Sequence, residues 1–112
     1  MESISLTTLA NEQLTLARAA PNGRSAHTTH GGHDRRLRQT LLALAAGQGL
    51  DEHESPGEAT LQVLEGRVRV TSGDEVWEGA AGDFLVLPLA RHDLVAVEDA
   101  AVLLTVSVEL RT

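Results

Sequence analysis

Residues 47–66, GQGLDEHESPGEATLQVLEG, decide the fold. Thr60-Leu61-Gln62-Val63-Leu64 is a short apolar run rich in strand formers, and Glu65-Gly66 breaks it. Arg67-Val68-Arg69-Val70 then alternates charged and apolar residues with the period of two that belongs to a half-buried strand. The pattern predicts strand, tight turn, strand: a hairpin with Val68 and Val70 on the core side. Ser55-Pro56-Gly57 predicts a turn ahead of the first strand. His53 stands just before that turn, where a side chain can point into a cavity instead of the packed centre.

The pattern continues on the C-terminal side. Ser72-Gly73-Asp74 is a turn, Glu75 to Glu78 a short strand, and Gly79 to Gly82 another turn. Phe84 to Leu87 reads as a buried strand ending at Pro88. His92 to Val97 alternates, Glu98-Asp99 turns, and Ala101 to Val108 closes the chain with Val102, Leu104, Val106 and Val108 on one face. Short strands with turns every eight to twelve residues are the all-β sandwich or barrel pattern. On the N-terminal side, Arg36, Arg38 and Thr40 alternate with Leu37, Gln39 and Leu41, and glycines close the segment. Its leucines and alanines favour helix by propensity, whereas the alternation favours a strand. Ser25 to Thr29 is expected as an edge strand, with Gly31-Gly32 as a turn. Leu6, Leu9, Ala10, Leu14 and Ala17 form one apolar stripe at helical spacing. That predicts a helix over residues 6–20, capped by Thr7 or Thr8 and stopped by Pro21-Asn22-Gly23.

The central stretch resembles the first motif of the cupin superfamily, a family of small jelly-roll barrels. The family motif runs glycine, a spacer, His-x-His, three or four residues, glutamate, six residues, glycine. Counted back from Gly66, the glutamate place is held by Ala59. With the shorter spacer the two histidine places fall on His53 and Ser55, and with the longer one on Glu52 and Glu54. The second motif corresponds to Gly82-Asp83-Phe84-Leu85-Val86-Leu87-Pro88-Leu89-Ala90-Arg91-His92. Its Gly-to-Pro spacing matches, Ala90 replaces a glycine, His92 arrives one residue early, and the later asparagine is absent. The resemblance covers residues 37–108, and its register requires a strand over residues 36–46, leading into the first motif. It implies a small all-β cupin jelly-roll β-barrel, the double-stranded β-helix, preceded by one N-terminal α-helix. Residues 1–23 are expected to form the helical extension and residues 24–112 the barrel.

Composition narrows the function. The chain has 112 residues, a size for one domain. A net charge of −7 argues against nucleic acid, which needs a basic surface. No cysteine is present, which excludes thiolate nucleophiles and zinc–thiolate sites. No apolar run approaches a membrane span and the start lacks a signal-peptide pattern, so a cytoplasmic location is expected. Trp77 and Phe84 are the only aromatic residues, and there is no tyrosine. Stacking platforms for sugars or bases are therefore hard to build, and tyrosine acid–base catalysis is excluded. The resemblance implies that this is not one of the sugar-epimerising cupins, which use a tyrosine.

In the family comparison His53 and His92 come from the two motifs and face each other across the barrel. They are the candidate ligands for a divalent transition metal such as Zn, Fe, Ni or Mn. Two ligands fall short of the three or four that a metal site wants, and His27 or Glu58 is the candidate third, with Glu52 and Glu54 as further acidic choices. Glu58 reaches the cavity only if the strand is bulged there. His27, His30 and His33 lie at intervals of three, broken by glycines, and more often such residues are solvated. Arg35, Arg36 and Arg38 form a basic patch that protects a strand edge or contacts an anion near the barrel mouth. Leu61, Val63, Leu85 and Leu87 are expected to line an apolar pocket. Two functions follow: a small-molecule-binding barrel with an incomplete metal site, and, as the alternative, a metal-dependent dioxygenase or isomerase acting on a small organic substrate. A homodimer is expected from the small size and from apolar residues, such as Leu64 and Leu103, left outside the barrel.

Overall fold

The computed structural model describes residues 1–54 and 57–109. The Ser55-Pro56 half of the expected turn, and Ser55 as a histidine place, lie outside the described residues. Among the described residues one helix, α1 (Leu6–Ala19), precedes nine strands: β1 (Arg24–His30), β2 (Leu37–Leu44), β3 (Gly49–His53), β4 (Glu58–Glu65), β5 (Arg67–Ser72), β6 (Glu75–Ala80), β7 (Phe84–Val86), β8 (His92–Ala96) and β9 (Ala100–Ser107). They form two antiparallel sheets, ordered β1-β2-β9-β4-β7 and β3-β8-β5-β6. None of the described helices is long and apolar enough to cross a membrane.

The main core lies between the sheets. Leu42, Leu44, Leu61, Val63, Val68, Val70 and Val102 meet there. A second cluster lies on the outer face of the five-stranded sheet, where Ala10, Leu14 and Ala17 of α1 pack on Leu41, Ala43, Ala101 and Leu103. This arrangement explains why Leu41-Leu42-Ala43-Leu44 carries no alternation. All four residues are buried, the even-numbered ones against the facing sheet and the odd-numbered ones against the helix. A strand covered on both faces loses its polar positions and resembles a helix in composition. Leu64 and Leu103, expected to be free for association, belong to the cluster under α1.

The chain departs from expectation at three places. Ser5, not Thr7 or Thr8, caps α1: its extended backbone lets the hydroxyl accept from the Thr8 N–H at 3.2 Å. Glu65-Gly66 is no hairpin turn, since β4 pairs with β7 and β9 while β5 pairs with β6 and β8. Gly66 is the corner where the chain leaves one sheet for the other. The two-residue hairpin is β5–β6, closed by Gly73-Asp74 with Gly73 at φ +58. Finally, β7 is an edge strand. Only Leu85 turns toward the core, and Phe84 and Val86 are exposed.

Asp99, in the turn between β8 and β9, ties α1 to the strands. Its carboxylate accepts from Arg18 Nε at 2.7 Å and from the Ala46 N–H at 2.8 Å. The hydrogen bond from Arg18, then that from Ala46, hold the Asp99 carboxyl below its ordinary value. A depressed folded-state value means the charged form is favoured by folding. The stabilisation is therefore complete above the ordinary carboxylate range, about pH 4, and is lost as the pH falls through it and below. Thermal melting from pH 6 to pH 3 checks this: Asp99→Asn should lower stability at pH 6 and flatten the acid-side decline relative to the parent. Parallel declines would mean that Asp99 titrates alike in the folded and unfolded chains.

Candidate functional site

One end of the space between the sheets holds a cavity of about 80 Å³. Leu50 and His53 come to it from β3, Ala59 and Leu61 from β4, Leu104 and Val106 from β9, His92 and Leu94 from β8, and Leu87 from the segment before β8. Among the described residues the walls are apolar except for the two imidazoles. His92 is buried, 4% exposed, while His53 stands at the rim and is exposed.

A bulge in β3 aims His53. Leu50 pairs with Leu94, but His53 pairs with His92, so β3 carries one extra residue between the two rungs. In a regular strand, residues three apart point to opposite faces. The extra residue brings Leu50 and His53 to the same face, as bulges near functional sites do. The histidines are therefore neighbours on adjacent strands of one sheet rather than partners across the interior. Their rings stand edge to face with centroids 4.8 Å apart. Arg91 holds the bulge from outside, donating to Glu52 Oε1 at 3.1 Å and to the Glu52 carbonyl at 3.3 Å. It lies 3.8 Å from the Glu54 carboxylate. Those two acids are thus ion-paired with Arg91 on the exposed side of the strand.

Both imidazoles are anchored in the same way. His53 Nδ1 lies 2.9 Å from the Asp51 carbonyl oxygen, and His92 Nδ1 lies 3.0 Å from that of Ala90. A carbonyl only accepts, so each Nδ1 carries the proton in these hydrogen bonds. In the neutral ring this leaves the Nε2 lone pair available, the tautomer that ligates metals or accepts from a ligand.

The other candidates lie elsewhere. His27 pairs with Leu41, whose side chain faces α1, so His27 is on the outer side of the sheet, and it is exposed. His30 and His33 are exposed as well. Glu58 adjoins Ala59, which points inward, and the register of β4 is regular there. Glu58 consequently points outward and is exposed. Among the described residues no three His, Asp or Glu side chains gather at metal-binding spacing. Of the expected pocket residues, Leu61 and Leu87 line the cavity, while Val63 and Leu85 belong to the core behind it. Ala59 and Leu50 line it unforeseen. The inward parity of β4 would have shown Ala59, but nothing in the sequence signals the bulge.

No family model matches the chain, and no curated protein matches it. Solved structures do. A conserved protein of unknown function from Streptococcus pyogenes is 30% identical over 80% of this chain and 78% of its own, with a TM-score of 0.71. An RmlC-like cupin from Desulfovibrio desulfuricans is 25% identical over 96% of both chains, with a TM-score of 0.71. The chain belongs to the cupin superfamily. A salicylate 1,2-dioxygenase from Pseudaminobacter salicylatoxidans matches this cupin with a TM-score of 0.73 at 22% identity, over 89% of this chain and 33% of its own. At that identity the likeness concerns the fold alone.

The donors at the cavity can be tested against the metal that cupins often hold. Catalytic centres take three protein ligands and structural ones four. This cupin offers two imidazoles, an alanine at the family's glutamate place, and no third donor among the described residues. The set does not fit a complete metal centre.

Proposed function

We propose that this cupin is a small-molecule-binding barrel, its two sheets closing as a jelly roll, and that its ligand places an apolar end in the cavity beside His53 and His92. The observation that carries the reading is the lining: among the described residues, apolar walls with two polar groups, both held by backbone carbonyls in one tautomer. Small-molecule sites are built this way, with apolar surface for affinity and a few fixed polar atoms for orientation. The Nε2 atoms accept a hydrogen bond from the ligand or, on protonation, donate one.

Thermal melting against a panel of small organic molecules tests this. A ligand that binds only the folded chain at a hundred times its Kd adds about 2.7 kcal/mol, which is several degrees for a domain of this size. The gain should shrink in His92→Ala. A panel that leaves the melting temperature unmoved at millimolar concentration, or a gain indifferent to His92, defeats the proposal.

A second reading, a metal-dependent dioxygenase or isomerase, is favoured by one feature: the two ligation-competent imidazoles stand side by side. Elemental analysis of the untagged protein separates the two. About one transition-metal ion per chain, lost in both His53→Ala and His92→Ala, would replace the binding reading with the metal-dependent one.

A further inference from the structure

A second, more open groove of about 370 Å³ adjoins the cavity and shares Leu50, Leu104 and Val106 with it. Its remaining walls come mainly from β2, whose Thr40 and Leu42 continue the apolar face and whose Arg38 stands at the end. The sheet register fixes this relation. Arg38 pairs with Val106, and Val106 pairs with Ala59, so the three side chains form one row across the inner face. Ala59 lines the cavity, Val106 is the shared wall, and Arg38 is one strand further out. At a strand spacing of about 4.8 Å, the Arg38 and Ala59 backbones lie roughly 10 Å apart.

Arg38 is set apart from most of the arginines by its lack of a carboxylate partner, and from the rest by its place in the groove. The chain has 16 acidic residues and 9 basic ones. Arg18, Arg35, Arg67, Arg69 and Arg91 each pair with a carboxylate. Among the described residues no carboxylate pairs with Arg24, Arg36 or Arg38, and of these three only Arg38 lines the groove. Its Nε donates to the Arg35 carbonyl at 3.1 Å, which orients the guanidinium and leaves its terminal N–H groups for another partner. It is half-buried beside the groove. In an acidic protein such an arginine is the complement of an anion, and a guanidinium fork matches a carboxylate in two hydrogen bonds.

We propose that the ligand of this cupin is a small organic monocarboxylate, its carboxylate held by Arg38 and its apolar body running past Leu50, Leu104 and Val106 into the cavity beside His92. This rests on the ligand-binding reading above and specifies the class of ligand. The expected span from carboxylate to apolar tip is roughly 5–10 Å, one to two strand spacings.

Isothermal titration with octanoate and octan-1-ol, equal in chain length and different in charge, tests it. Octanoate should bind the parent more tightly than octanol, and added salt should weaken octanoate alone. Arg38→Gln should weaken octanoate about ten- to a hundredfold, the worth of a charge-assisted pair, and leave octanol within about twofold. Arg38→Lys, which keeps the charge and loses the fork, should fall between. Arg36→Gln, at an exposed position outside the groove lining, should change neither. Melting curves establish that each variant is folded. Octanol binding with octanoate no tighter, or Arg38→Gln weakening both alike, overturns the carboxylate assignment and leaves the cavity standing. Binding of neither probe at millimolar concentration overturns both.

Discussion

Gly66→Ala should destabilise the fold by about 3 kcal/mol or more, and Gly47→Ala by only about 1–2 kcal/mol. Both glycines have a left-handed backbone, with φ +78 at Gly66 and φ +86 at Gly47. A side chain in that region costs roughly 1–2 kcal/mol, and both variants bear it. They differ in what the new methyl meets. At Gly47 nothing lies within 4 Å, whereas at Gly66 a Cβ would sit 2.0 Å from the Asp99 carbonyl oxygen and 2.9 Å from the Ala100 Cα. Those are backbone atoms, so relief requires the corner or the start of β9 to move. β9 is the worst strand to move, because it pairs with both β2 and β4 at the centre of the larger sheet. Forced overpacking of this kind adds about 1–3 kcal/mol. Urea denaturation of the two variants beside the parent reads the difference directly. At about 4–8 °C per kcal/mol the melting temperature of Gly66→Ala should fall by about 10–20 °C. Equal losses in the two variants would mean that the corner relaxes freely and the close approach to Asp99 has no structural weight.

That corner also shows what the sequence could and could not convey. Strand-forming residues on both sides of Glu65-Gly66, alternating with period two, locate both strands and the inward-facing Val68 and Val70, and both valines are buried. They cannot say whether the two strands pair. A hairpin and a sheet-to-sheet corner make the same local demand, a residue tolerant of positive φ between two strands. The choice is made by distant partners: β9 for β4, β8 for β5. The same limit governs β7. Its short apolar run announces a strand, but its position at a sheet edge, which leaves Phe84 and Val86 exposed, is a property of the strand order. At β2 the leucines favour helix and the family register favours strand; the strand forms because α1 covers the face that would otherwise be polar.

At the site, the sequence marked both histidines but misjudged their relation. His53 and His92 meet as cross-strand neighbours only because β3 carries an extra residue. The acidic residues that flank His53 look like spare ligands in the sequence. The bulge turns Glu52 outward, where it pairs with Arg91. Glu58 needs a bulge beside it to reach the cavity, but the β4 irregularity falls at the other end, between Val63 and Glu65, and leaves Glu58 on the outer face. The sequence displays the charge of Arg38 but not its place in the fold. Parity separates it from Arg35, while Arg36, of the same parity, lies before β2 begins; Arg38 shares an inner-face row with Val106 and Ala59.

Ala59→Glu should turn the two-imidazole pair into a metal site. Ala59 is 5% exposed, lines the cavity with His53 and His92, and holds the place of the family glutamate. A glutamate there would add a third, anionic donor, completing the ligand number of an open metal centre. Without metal the variant carries a nearly buried carboxyl group in an apolar cavity and should lose about 2–4 kcal/mol. With Zn²⁺ or Ni²⁺ the charge is neutralised and the loss should be recovered, since a metal that binds only the folded state stabilises in proportion to the logarithm of its concentration over Kd. In calorimetric titration the variant should bind at least about tenfold more tightly than the parent, the factor that 1.4 kcal/mol of added ligation supplies. Two controls locate the effect. Ala59→Gln, of the same size without the charge, should be destabilised and gain little from metal. His92→Ala in the Ala59→Glu background should abolish the gain, because the remaining donors number two again. Were Ala59→Glu and the parent to respond to metal equally, the glutamate place would not converge on the histidines, and the two-donor account of the cavity would have to be abandoned.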